Sequence, residues 1–225
     1  MYIQTRPFSE RNAGGASVLG FAVDLKCKIP VQQPTFIEMW AMHRRLLLDL
    51  LERYEPWDDQ EAANKKRMLT FVRKYPDCFE RSLNVGHITG SAWLVNENNS
   101  RALLTHHKKL DLWLQPGGHA DGEADACLVA LKEAREESGI SEIEPISNQI
   151  FDLDIHDIPA RGDIPRHLHY DVRFLCQARH SKFRVSDESH ALAWVTPEEI
   201  KTLKTDATSV PRMAAKWFAS KTAMS

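Results

Sequence analysis

From Thr35 to Tyr54 apolar side chains return at Phe36, Met39, Trp40, Leu46, Leu47 and Leu50, with His43 among them. That is the spacing of one face of a helix. Thr35 and Glu38 predict a capping box at its start, and Pro56 predicts its end. A second helical pattern runs from about Asp58 to Lys74, with Asp58 or Asp59 as cap and Met68, Leu69, Phe71 and Val72 as its apolar end. Tyr75-Pro76-Asp77 then breaks it. Both helices predict ordinary packing, and the alternative is a lid or a face for a second copy in a homodimer.

From His87 the period changes to that of strands. HITGSAWLV predicts a strand, Asn96 to Ser100 a turn, and RALLTHH the return strand of a hairpin. Leu112 to Leu114 is a brief strand that delivers the chain to Pro116-Gly117-Gly118. A helix follows from about Asp125 to Ser138, with Gly139 at its C′ position. Leu128 and Leu131, backed by Ala130 and Ala134, form its predicted packed side. A second hairpin alternates apolar and polar positions from Phe151 to His156 and from His167 to Phe174, joined by DIPARGDIPR. A strand pair near Lys182–Val185 and His190–Val195 leads to a helix over Pro197–Leu203. The final helix starts near Val210-Pro211 and packs through Met213, Trp217 and Phe218. Before Thr35 only Val18 to Leu25 reads as a short strand. The order predicts an α/β fold, a mixed sheet with helices on both sides.

Composition narrows the partners. With 43% hydrophobic and 27% charged residues in 225, the chain can bury a sizeable core and has an ordinary surface. A formal net charge of -2 supplies no basic excess for an extended nucleic-acid surface. No run of 18 apolar residues predicts a membrane span. The four cysteines, Cys27, Cys78, Cys127 and Cys176, lie far apart and form no CxxC pair. A reducing, cytoplasmic setting is the expectation, with Cys127 and Cys176 as packing residues.

The chemistry concentrates in GGHADGEADACLVALKEAREESG, Gly117 to Gly139. Glu133, Glu136 and Glu137 stand at i, i+3 and i+4 and share one helical face. Stacked like charges destabilise a helix, so the pattern points to a cation held there. A hard cation such as Mg²⁺ takes oxygen ligands and shares itself with substrate phosphates. The segment resembles the Nudix hydrolase signature G-x5-E-x7-R-E-U-x-E-E-x-G-U, where U is a bulky aliphatic residue. Gly118, Glu133, Glu136, Glu137, Gly139 and Ile140 match it. Lys132 stands in place of the arginine, Ala134 in place of U, and Ala124 in place of the first glutamate, with Glu123 one residue early.

The resemblance implies a Nudix-type α/β/α sandwich with a mixed sheet over residues 85–225. A helical extension over 35–84 and a flexible segment over 1–34 precede it. It implies a hydrolase that cleaves the phosphoanhydride of a nucleoside diphosphate linked to X, with Mg²⁺ as cofactor and Mn²⁺ as substitute. The metal ligands would be Glu133 and Glu137 with the carbonyl of Gly118, and Glu136 a ligand or general base. A nucleotide-sensing module without turnover is the alternative. The diphosphate isomerases on the same fold are a more distant one, since no cysteine sits in a suitable loop.

Other polar residues extend the candidate site. His119 follows the ligand glycine and either meets a phosphate or bonds the turn. Glu123 is either the displaced signature glutamate or a favourable charge at a helix N-terminus. If the second hairpin closes symmetrically, His156 pairs with His167, Asp154 with His169 and Asp152 with Asp171. With Arg173 these residues would share one face, either for substrate recognition or as the solvated side of a sheet. A dedicated zinc site there lacks an obvious fourth ligand. His106 and His107, ahead of Lys108-Lys109, read as an exposed basic turn or as part of a phosphate-facing loop. Asp187 and Glu188 fall in the loop where relatives place an additional acid, and Glu188 is the candidate.

Overall fold

A computed structural model describes residues 36–185 and 189–222, with only the backbone of residues 36–42 and Thr222. The Val18–Leu25 strand, the Thr35–Glu38 capping box, Cys27, Asp187 and Glu188 lie outside the described residues.

Two helices come first, α1 (Phe36–Arg53) and α2 (Asp59–Lys74). Asp58 caps α2 by accepting a hydrogen bond from the Glu61 amide at 2.7 Å, and Tyr75 ends it. Leu47 and Leu51 of α1 and Met68, Phe71 and Val72 of α2 are buried, whereas Leu46 is exposed. Phe71 stacks on Tyr170 with centroids 3.8 Å apart. The helix pair therefore packs onto the sheet, through residues that belong to one core with it.

The eight strands among the described residues are β1 (Gly86–Val95), β2 (Ala102–His107), β3 (Leu112–Leu114), β4 (Gly117–His119), β5 (Ile143–Pro145), β6 (Asp152–Ile158), β7 (His167–Ala178) and β8 (Ser189–Val195). Two long central strands, β1 and β7, run parallel over ten residues, from Gly86↔Leu168 to Val95↔Gln177. On the far side of β1 lie β4 and, at a single position, β2. On the far side of β7 lie β6 and β5. β2 continues the sheet with β3 and β8. The expected hairpin of β1 and β2 is thus barely a pair: only Val95↔Ala102 is in register, because β4 takes the rest of that edge. β8 pairs with β2, while residues 182–185 form no strand.

Three further helices complete the layers: α3 (Ala126–Ser138), α4 (Pro197–Ile200) and α5 (Ser209–Thr222). α3 lies over one face of β1, so close that a Cβ on Gly90 would sit 2.6 Å from the Ala126 carbonyl oxygen. α5 covers the other face with Met213 and Trp217, in a core shared with Trp93, Val95, Leu104 and Val195. The result is a mixed α/β fold with helices on both sides of a curled mixed sheet. Leu128 and Phe218, expected in the core, are 52% and 53% exposed. Helix α3 turns Val129 and Ala130 to the sheet instead. Cys78, Cys127 and Cys176 are free and buried, and burial raises the Cys127 thiol to about 11. No described helix is long and apolar enough to cross a membrane.

Candidate active site

Helix α3 owes its start to Asp125, whose carboxylate accepts from the amides of Cys127 and Leu128 at 2.9 and 3.3 Å. It ends at Gly139, which adopts φ 69° and donates its amide to the Arg135 carbonyl. Between these caps the glutamates are carried toward β4. Glu137 accepts from the Gly117 amide at 2.9 Å. Glu133 presses on Gly118, where a Cβ would lie 2.4 Å from its carboxyl carbon and 2.5 Å from one oxygen. Only a residue without a side chain allows that approach. Two of the three predicted carboxylates therefore meet at the double-glycine strand.

Glu136 points outward, with its side chain 60% exposed. Lys132 Nζ stands 3.3 Å from Glu133 and 3.7 Å from Glu136, so it pairs with the i+4 glutamate and shares its charge with Glu133. A single ammonium point charge replaces the planar fork of an arginine there. Glu123 accepts from the Asp125 amide at 2.9 Å and is exposed, so it stays in the turn before α3.

The opposite face of the sheet carries the second group of predicted residues. Its register differs from the symmetric closure: His156 faces His169, Asp154 faces Asp171, Asp152 faces Arg173, and Ile158 faces His167. The pairing has slipped by two residues because β6 runs on to Ile158. A shift of two keeps every side chain on its face, and so the predicted polar face survives with different partners.

That face is not a solvated surface. Asp152, Asp171, Arg173 and His167 are buried. Arg173 gives its donors to Asp171 at 2.6 Å, Asp152 at 3.1 Å and Asp154 at 3.3 Å. Rather than presenting a free fork to a phosphate, it holds the sheet interior together; burial works against its charge, but the charges of Asp171, Asp152 and Asp154 outweigh it and keep it ionised. Thr89 and Ser91 of β1 also donate to Asp171, at 2.9 and 2.8 Å.

Histidines crowd the far end of this face. His119 sits opposite Thr89 in the β1–β4 register, on the polar side, whereas Gly118 sits opposite Gly90, on the α3 side. The ring of His119 lies 5.0 Å from that of His87 and 4.9 Å from that of His169. His87 in turn lies 4.9 Å from His167 and 4.8 Å from His169. His156 stands at the rim, 42% exposed, 3.4 Å from Asp154. Burial, helped by His119 and His167, pushes His87 down to about 4. Burial with the neighbouring histidines pushes His169 down to about 2, and burial beside Arg81 lowers His119. These three rings are neutral at neutral pH.

His106 and His107 belong elsewhere. His106 stacks on Trp113 and bonds Asp111 at 2.9 Å, shaping the turn after β2. His87, Thr89 and Ser91 were not singled out in the sequence. Their only signal is alternate placement along one strand, whose use depends on β7 lying in register beside it. A groove of about 480 Å³ between α4 and α5 is lined by none of these residues.

The NUDIX domain matches residues 87–218, more than half of the chain. No curated protein matches it. An Ap4A hydrolase from C. elegans is 16% identical, with 60% of this chain and 98% of that one aligned at a TM-score of 0.49. A NUDIX-family hydrolase from Clostridium perfringens is 22% identical, over 59% and 97% of the two chains, with a TM-score of 0.46. The MutT protein from Methanosarcina mazei Go1 is 16% identical, over 62% and 97%, with a TM-score of 0.47. On the extent of the domain match, with its glutamate helix set against the double-glycine strand, the chain belongs to the NUDIX domain family.

Proposed function

We propose that the protein is a Mg²⁺-dependent pyrophosphohydrolase that cleaves the phosphoanhydride of a nucleoside diphosphate linked to X, with Mn²⁺ as substitute cation. The observation that carries this reading is the meeting of Glu133 and Glu137 on the Gly117–Gly118 backbone. Carboxylate and carbonyl oxygens suit a hard cation, and the absence of a Cβ at Gly118 leaves the room such a ligand set needs. Glu133, Glu137 and the Gly118 carbonyl would hold it. When bound, the cation neutralises the diphosphate oxygens and acidifies the attacking water.

The chain's own residues then have separate tasks. Glu137 keeps the Gly117 amide oriented, and Lys132 restrains Glu133 from the outer side. Glu136, being exposed, is free to serve as a ligand or to accept a proton from water. His156, which reaches the rim, is the histidine we assign to substrate contact. Domain limits follow the same reading: a hydrolase domain over 85–225, with a helical extension over 35–84.

The test is Glu137→Gln, assayed by product chromatography across a panel of nucleoside diphosphate derivatives with Mg²⁺. Turnover should fall on the order of 10²–10⁴-fold. Unchanged turnover removes Glu137 from the mechanism, and binding without products from the wild-type protein favours a nucleotide sensor.

A further inference from the structure

Three imidazoles of the polar face converge without being needed by the carboxylate site. His167 and His169 alternate along β7 and so point the same way. His87 is the register partner of His169 on the parallel strand β1. One ring nitrogen from each of His87, His167 and His169 lies within 4.8 Å of the other two.

Their hydrogen bonding is that of ligands in waiting. Neither ring nitrogen of His87 has a hydrogen-bond partner, nor does Nε2 of His169. The Leu83 backbone favours the charged form of His87 but does not complete a hydrogen bond to it. Together these three atoms are half of the six orphaned buried side-chain nitrogens and oxygens among the described residues. Buried polar atoms are ordinarily paired, so their concentration in one spot calls for a partner of another kind. His167 donates Nδ1–H to the Pro165 carbonyl at 2.8 Å in the tautomer that leaves Nε2 as a lone pair. A backbone carbonyl on the remote nitrogen is the usual support of a metal-bound histidine.

We propose that His87, His167 and His169 form a binding site for a divalent transition-metal ion of the Zn²⁺, Co²⁺ or Fe²⁺ class, separate from the glutamate ridge. Neutral imidazoles select such ions over Mg²⁺, which prefers oxygen. A tetrahedral ion with bonds of about 2.0 Å separates its ligands by about 3.3 Å, so binding draws the three rings inward. Three histidines leave one position open, the arrangement of a reactive rather than a purely structural site. Strand β4 lies between the two sites: Gly118 turns to Glu133 on one face, and His119 turns to His87 and His169 on the other. The site stands whether or not the ridge hydrolyses anything.

The test is titration of the chelator-stripped full-length protein with Co²⁺ alone, read by equilibrium dialysis, visible absorption and proton NMR. We expect one equivalent that gives an intense ligand-field spectrum and hyperfine-shifted imidazole N–H resonances. His87→Gln and His169→Gln should each lose the spectrum, while a Glu133→Gln, Glu137→Gln double variant keeps it. Loss in the glutamate variant with retention in both histidine variants overturns the proposal. Absence of shifted imidazole resonances from the wild-type protein overturns it even if both histidine variants fail to fold.

Discussion

Gly118 shows how much a single side chain can decide. Its neighbour across the site is the Glu133 carboxylate, and a Cβ would lie 2.4–2.8 Å from three of its atoms. Gly118→Ala must therefore displace that carboxylate, which is a misplacement on the order of an ångström at the proposed cation site. Activity should drop on the order of 10²-fold, with circular dichroism unchanged, and a kcat within twofold of wild type would refute the contact. The glutamates and Gly118 were legible in the sequence because their spacing is local to one helix and one turn. Arg173 was legible only as a cation on the right face. Asp171 lies two residues away on its own strand, but Asp152 and Asp154 reach it across the β6–β7 pairing from 21 and 19 residues away, in a register that alternation does not fix.

At the scale of elements, α3 is the part whose stability and chemistry are most closely joined. Its first free amides are satisfied by Asp125, and its last turn is closed by Gly139 at φ 69°. Removing the cap with Asp125→Ala should cost about 1 kcal/mol, or a fall in Tm of roughly 2–4 °C for a chain of this size. Turnover at 25 °C should be unaffected, since Glu133 and Glu137 lie two turns or more downstream. An unchanged Tm in calorimetry would show that the helix is held by packing alone. The Asp58 cap, the Gly139 end of α3 and the breaks at Tyr75 and Pro56 were readable because they are set by neighbours in sequence. The partner of β1 was not. A hairpin signal marks where the chain turns back, but here β4 arrives later and displaces most of β2 from that edge.

For the whole molecule, one buried ionic network ties distant segments together. Asp152 on β6 takes Arg212 at 2.8 Å, Arg173 at 3.1 Å and Lys216 at 3.2 Å, and Lys216 reaches Glu61 on α2 at 2.6 Å. Burial raises the Asp152 carboxyl, but the Arg212 hydrogen bonds and the Arg173 charge outweigh it and hold the group well below the usual carboxylate range. Asp152→Asn leaves three cations short of a counter-charge and should destabilise the protein by about 3–5 kcal/mol at pH 7. Because the folded-state pKa is depressed, this stabilisation is fully present above the unfolded value of about 3.9. It is lost as pH falls toward the folded one. Urea unfolding should therefore show a gap between wild type and variant that is constant at neutral pH and closes below about pH 4. A gap that persists in acid would assign the loss to packing instead of charge.

The chain on its own determined what depends on neighbours within a turn or an alternation: the α/β order, the Asp58 cap and the Gly139 helix end, the acidic ridge behind two glycines, and the shared face of the hairpin histidines. Tertiary structure decided which strands lie side by side, because pairing in a sheet brings together residues of unrelated position, and many pairings satisfy the same alternation. Only the parallel register of β1 with β7 sets His87 against His169. The same layering turns what alternation alone would allow as a solvated surface into a buried face, where each polar atom must find a partner inside the protein.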